Sequence, residues 1–153
     1  MLERGRGEML YTPLIKLAMQ ICFEAHREQR DKGGVPYVFH PIHLAEQMPD
    51  ELTTAAALLH DVVEDSGWTF QDLEERGIPD PVLDALRLLT HREDVPYLEY
   101  VAALKENRIA AEVKLADLRH NSDLTRLDQV DERALARLEK YRAAMELLKS
   151  ETL

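Results

Sequence analysis

The stretch Leu-Thr-Thr-Ala-Ala-Ala-Leu-Leu-His-Asp-Val-Val-Glu-Asp, residues 52–65, decides the reading of this chain. From Leu52 to Val63 it is apolar except for Thr53, Thr54, His60 and Asp61, and so continuous a run predicts a central helix over 52–63, buried on most sides. The end of that helix is chemically odd. His60, Asp61, Glu64 and Asp65 bring three carboxylates to the negative end of the helix dipole, beside Leu58, Leu59, Val62 and Val63, where burying charge is costly. On a helix Glu64 stands four residues from His60 and three from Asp61, and Asp65 stands four from Asp61, so the four can border one site. A divalent cation satisfies this arrangement; a solvated helix end with a core histidine is the other reading.

The pattern on either side is helical as well. Leu14, Leu17, Ala18, Ile21, Cys22 and Ala25 recur at three and four residues, which predicts an amphipathic helix over 13–30 that ends before Gly33, Gly34 and Pro36. Pro41 suits the first turn of a helix reaching about residue 47, which puts His40 at its entrance. Thr69 with Asp72 forms a capping-box pattern, Asp80-Pro81 opens a helix to about Leu89, and 97–105 and 109–118 read as two more. Asp131 caps a last helix whose packing stripe is Leu135, Leu138, Met145 and Leu148. Strand alternation, internal repeats and linkers are absent. The expectation is one all-α domain, a helical bundle of about seven helices over 1–153, with 1–10 a flexible N-terminal extension.

Composition narrows the function. A chain of 153 residues suits one domain, and 45% hydrophobic residues is too apolar for a disordered chain. The net charge of −10 disfavours nucleic acid and anionic membrane surfaces as partners, so any phosphate ligand must be handled by local charge. Cys22 is the only cysteine, which excludes an intrachain disulfide and a thiolate zinc cluster. No apolar run approaches the roughly 20 residues that cross a bilayer, and the first residues lack a secretory pattern, so a cytoplasmic location is expected.

A second buried acid strengthens the cation reading. Asp117 lies within the mostly apolar segment Val113-Lys114-Leu115-Ala116-Asp117-Leu118, where an unpaired carboxylate is expensive. Lys114 and Asn121, three and four residues away, can orient it or meet a ligand beside it; a plain Lys114–Asp117 ion pair is the simpler alternative. With His40 the candidate set becomes two imidazoles and two carboxylates, suited to Mn²⁺, Fe²⁺ or Zn²⁺.

Three segments, in this order and spacing, resemble the hydrolase domain of RelA/SpoT proteins: Val35-Pro36-Tyr37-Val38-Phe39-His40-Pro41, Ala57-Leu58-Leu59-His60-Asp61-Val62-Val63-Glu64-Asp65, and Val113-Lys114-Leu115-Ala116-Asp117-Leu118-Arg119-His120-Asn121. That family is an HD-domain group of metal-dependent phosphohydrolases, and the resemblance covers nearly the whole chain, as in a stand-alone small alarmone hydrolase. It implies His40, His60, Asp61 and Asp117 as ligands of Mn²⁺, and Glu64 and Asp65 as the acidic pair beside the attacked phosphate. It further implies that Asn121 and Lys32 meet the nucleotide; by position in the sequence, Tyr37 can border the pocket and Lys114 can meet a ligand beside Asp117. The implied reaction removes pyrophosphate from the 3′ position of ppGpp or pppGpp by water that the metal activates. Lys32, Lys114, Arg119 or His120 must offset phosphate charge. Two departures stand out. The family's base-stacking Arg–Lys pair appears here as Asp31-Lys32, and its Arg–Leu after the aspartate appears as Leu118-Arg119. Another nucleotide phosphate such as NADPH therefore stays open as substrate, as does a nucleotide-binding module without turnover. His26, Tyr97, Tyr100 and Tyr141 read as packing residues, Trp68 and Phe70 as covers for the helix end, and Arg133, Arg137, Glu139 and Lys140 as a solvated face.

Overall fold

The computed structural model describes residues 7–150. Thr12 accepts the Ile15 amide at 3.2 Å and Pro13 fills the first turn, so α1 (Pro13–His26) begins where the sequence places it. It ends at His26 rather than at residue 30. The chain there folds back on itself: Tyr37 donates its amide to the Gln29 carbonyl and Asp31 donates to that of Val35, both at 2.8 Å, which bridges Arg30 to Pro36 and removes these groups from a helix.

After α2 (Phe39–Glu46), Asp50 caps α3 (Glu51–Leu59) through a capping box with Thr53. The two threonines in this apolar helix are satisfied locally, since the Thr54 hydroxyl donates to the Asp50 carbonyl at 2.6 Å and that of Thr53 to the Asp50 side chain at 2.8 Å. From Thr53 to Leu59 every residue is buried, because α3 is the centre of the bundle. It packs against α1, α2, α6 (Asp80–Leu89) and α8 (Arg108–Asn121). The alanines at 55, 56 and 57, with no exposed surface, let those neighbours approach closely.

The helix expected over 52–63 is broken at the histidine and aspartate. The His60 ring Nδ1 donates to the Ala57 carbonyl at 2.7 Å, the acceptor that the Asp61 amide needs to continue the helix, and Asp61 falls to φ −109°, ψ 4°. A single turn, α4 (Val62–Asp65), follows. Thr69 caps α5 (Phe70–Glu75) with Asp72 completing the box, and α7 (Tyr97–Leu104) lies beside α8. Helix α8 runs to Asn121, three residues past expectation, because Ser122 stoppers it with its amide and a 2.6 Å hydroxyl bond to the Leu118 carbonyl.

Asp131 caps α9 (Glu132–Lys149) as expected, by accepting the Ala134 amide. Its expected stripe is corrected: Leu135 is 49% exposed, while Ala134 and Ala144 are buried and Tyr141, Met145 and Leu148 pack beside them. The contact face is thus centred on two alanines that bring α9 close to α7 and α8, with Met145 and Leu148 of the expected stripe beside them and Leu135 turned out. Among the described residues there are eight helices of six residues or more, the α4 turn and a 3₁₀ turn at Leu124–Arg126, with no strand. Trp68 and Phe70 pack against the core, and the His26 ring is buried against Tyr37. Burial pushes the Cys22 thiol up to about 12. The extension expected at 1–10 lies mostly outside the described residues; Gly7 donates its amide to the Glu46 carbonyl at 2.8 Å. No described helix is long and apolar enough to cross a membrane.

Candidate metal centre and cleft

Three helices deliver the candidate donors to one point. His40 enters from the first turn of α2, His60 and Asp61 from the break after α3, and Asp117 from the inner face of α8. His40 Nε2 lies 2.8 Å from Asp117 Oδ1, and His60 Nε2 lies 3.1 Å from Asp61 Oδ2 and 3.5 Å from Asp117 Oδ1. His40, His60 and Asp117 are all buried. The helix break matters here: on an unbroken helix the His60 and Asp61 side chains diverge by about 100°. Here the turn at Asp61 swings its carboxylate back to its neighbour's ring.

The donor set fits a cation on one specific count. His60 commits its Nδ1–H to the Ala57 carbonyl, so in the neutral ring Nε2 carries a lone pair; this atom is buried, has no hydrogen-bond partner and faces two carboxylates. Lone pairs converging from a buried imidazole and two acids call for a positive charge between them. Without a metal a proton takes that place: burial opposes it, but Asp61 and Asp117 hold the His60 ring well above the usual histidine range. Asp117 is the converse case. Burial disfavours its charge, yet Lys114, the hydrogen bond of His40 and the charge of the nearby His60 ring hold it well below the usual carboxylate range.

A further layer of groups orients the donors. Tyr37 donates its hydroxyl in a short hydrogen bond to Asp61. Lys114 Nζ lies 3.1 Å from Asp117 Oδ2, and Asn121 donates to Asp117 Oδ1 at 3.0 Å. The His40 Nδ1 meets His120 Nδ1 at 2.7 Å, and His120 stacks between the rings of His40 and His43. Burial, Arg126, His40 and His43 press the His120 ring down to about 4, so at neutral pH it is uncharged and cannot offset phosphate charge as expected. Its role is to meet the back of a donor ring.

The donors open into a cleft of about 460 Å³. Tyr37, Lys32, Glu64, Asp65 and Asn121 all line it, as the sequence leads one to expect. Glu64 Oε1 accepts the His91 amide at 2.8 Å, which ties it to the loop after α6. Asp65 is surface-accessible within the cleft, where partial burial and the carboxylates of Asp61 and Glu64 push it up to about 6. Lys114 does not line the cleft: its ammonium lies behind Asp117, 5.3 Å from the Tyr100 ring centre and 5.8 Å from that of Tyr97. Arg119 points to solvent and is not among the lining residues. Arg30, Arg126 and Arg137 are, so three guanidiniums join Lys32 around the opening of an acidic protein. Arg137 is a correction, since it reads as solvated in sequence; its place follows from α9 packing over the cleft through Ala134. Arg126 carries no sequence signal, because Asp31, the carboxylate it pairs with, lies 95 residues away along the chain. A second depression of about 540 Å³, at Trp68 and Arg76, holds none of the candidate donors.

An all-α bundle with a histidine–aspartate pair at a helix break, completed by donors from two other helices, is the architecture of an HD-domain protein. No family model matches the chain. It is 32% identical over 121 residues to the bifunctional (p)ppGpp synthase/hydrolase SpoT of Escherichia coli K12, covering 70% of this chain and 17% of that protein. It is 42% identical over 66 residues to a guanosine-3′,5′-bis(diphosphate) 3′-pyrophosphohydrolase of Aquifex aeolicus, covering 40% of this chain and 10% of that one. The chain thus spans less than a fifth of these curated relatives. A solved structure, described as a metazoan ortholog of SpoT that hydrolyzes ppGpp, superposes with a TM-score of 0.73 at 27% identity, covering 94% of this chain and 89% of that one. The chain belongs to the RelA/SpoT-type HD-domain family.

Proposed function

We propose that this protein is a divalent-metal-dependent phosphohydrolase that releases pyrophosphate from the 3′ position of ppGpp or pppGpp, leaving GDP or GTP, with Mn²⁺ as the working ion. The observation that carries the reading is the buried, partnerless His60 Nε2 facing Asp61 and Asp117. The activities for which the relatives are named support the choice of substrate.

His40, His60, Asp61 and Asp117 would hold the ion, a mixed imidazole and carboxylate set that suits Mn²⁺. Once bound, it supplies a Lewis acid for a phosphoryl oxygen and lowers the pKa of water at the reacting centre. Tyr37 fixes the Asp61 carboxylate through its hydroxyl, and Lys114 and Asn121 fix that of Asp117. Glu64 and Asp65 flank the attacked phosphorus. Glu64, anchored by the His91 amide, accepts the proton of the attacking water, while Asp65, on the other side, returns a proton to the departing 3′ oxygen. Lys32, with Arg30 and Arg137, offsets the charge of the phosphates, and Asn121 meets the nucleotide at the end of α8.

The test is product analysis. Protein loaded with Mn²⁺ and given ppGpp is expected to release pyrophosphate and GDP in equal amounts, and both EDTA and Asp61→Asn abolish the release. Turnover of NADPH but not ppGpp, or full metal occupancy without turnover of either, overturns the proposal.

A further inference from the structure

We propose that Asp31 and Arg126 form a strap that holds the Lys32 loop against the end of α8, and that this strap sets how tightly the substrate binds rather than how fast it reacts. The inference rests on the reading above that Lys32 meets phosphate. Asp31 uses both carboxylate oxygens. Its Oδ1 accepts the Gly33 amide at 2.9 Å and the Val35 amide at 3.0 Å, shaping the turn that carries Lys32. Its Oδ2 accepts from Arg126 Nη2 at 3.2 Å, across 95 residues of chain. Arg126 then reaches inward: Nη1 donates to the His120 carbonyl at 3.0 Å and to Asn121 Oδ1 at 3.2 Å, and Asn121 donates to Asp117. A continuous line of hydrogen bonds thus joins the loop to a candidate metal ligand.

Two further observations make the contact a built one. The ion pair is shielded, its side chains 22% and 16% exposed, which sets it apart from weak surface pairs. Gly33 lies directly against the backbone of Arg126, so close that a Cβ there would fall 2.1 Å from the Arg126 carbonyl oxygen. The loop and the 3₁₀ turn are therefore fitted face to face, and only glycine allows it. A planar guanidinium serving three acceptors explains arginine at 126, since an ammonium lacks that fork. The acid at position 31 is occupied by the loop and the strap, so it is not free to accept from a base.

Asp31→Asn keeps the Oδ1 that accepts from Gly33 and Val35 but discards the charge that Arg126 uses; Arg126→Ala removes the other half. With Mn²⁺ and ppGpp, each variant is expected to raise KM about tenfold while kcat stays within about twofold, and the double variant to match the singles because both break one interaction. Arg126→Lys is expected to recover part of the loss. Without substrate, tryptic cleavage after Lys32 is expected to quicken about tenfold in both single variants while the Tm of the bundle holds. Unchanged KM, singles that multiply in the double, or a fall in kcat at constant KM overturns the strap. Should the wild type turn over no ppGpp, the proposed function fails, and the proteolysis decides the strap alone: unaltered cleavage after Lys32 refutes it. If Arg126→Ala does not fold, Asp31→Asn carries the same comparison.

Discussion

Replacing Lys114 by Met tests whether Asp117 sits in the field of a metal. The Lys114 ammonium is 3.1 Å from Asp117 Oδ2, with the side chains only 14% and 8% exposed. At an effective dielectric constant of about 20, that separation corresponds to about 5 kcal/mol of gross attraction. Removing one partner of a buried pair costs about 3–5 kcal/mol, and the hydrogen bonds that His40 and Asn121 still give Asp117 put the loss at the lower end. Met keeps the aliphatic stem against Tyr97 and Tyr100, so packing changes little. In EDTA, Lys114→Met is therefore expected to lose about 3 kcal/mol, or about 6–12 °C in Tm for a domain of this size. A bound cation takes over the neutralisation of Asp117 and no longer feels a like charge behind it, so Mn²⁺ is expected to bind the variant about tenfold more tightly. By linkage the loss then shrinks to about 1.6 kcal/mol in saturating Mn²⁺. Urea unfolding with and without the ion, at constant slope, measures both numbers. An equal loss in the two conditions, or weaker Mn²⁺ binding, refutes the argument that Lys114 and the ion share one carboxylate.

Three further outcomes are expected. Glu64→Gln keeps an acceptor for the His91 amide, so Mn²⁺ affinity by calorimetry is expected to hold while kcat on ppGpp falls about a hundredfold or more; an unchanged kcat removes Glu64 from proton transfer. Asp65 has a raised pKa in the metal-free fold, so its contribution to stability is present at low pH and is lost as pH rises through about 6. Asp65→Asn in EDTA is thus expected to raise Tm at about pH 7.5 and to show no such gain near pH 4, and a lower Tm at the higher pH contradicts the assignment. Cys22, buried and pushed up to about 12, is expected to resist a thiol reagent at about pH 8 in the native protein and to react once urea unfolds it; rapid native labelling contradicts its burial.

What could be read in advance follows the range of the physics involved. Helix starts at Thr69 and Asp131 depend on a side chain and an amide three residues away, and these were legible. His60, Asp61 and Asp117 stand out in the sequence because a charged or titratable group inside an apolar run needs a reason to be there, whereas His40 joins them through the resemblance to RelA/SpoT hydrolase domains. The break after Leu59 was not, since the hydrophobic run passes through it and the cause is one ring nitrogen taking the Ala57 carbonyl. Helix α1 stops early for a similar reason: backbone pairing between Gln29 and Tyr37 is invisible to side-chain periodicity. His120 and Arg126 gain their roles from partners on other elements, His40 and Asp31, and Arg137 gains its place from the packing of a helix whose first leucine, Leu135, faces out.

One ion held by four side chains is the centre of the proposed chemistry. Crystals soaked in MnCl₂ and measured at the manganese absorption edge test this most directly. The expected result is a single strong anomalous peak within bonding distance of His40 Nε2, His60 Nε2, Asp61 and Asp117. No peak at that point, or a peak held by Glu64 and Asp65 alone, contradicts it.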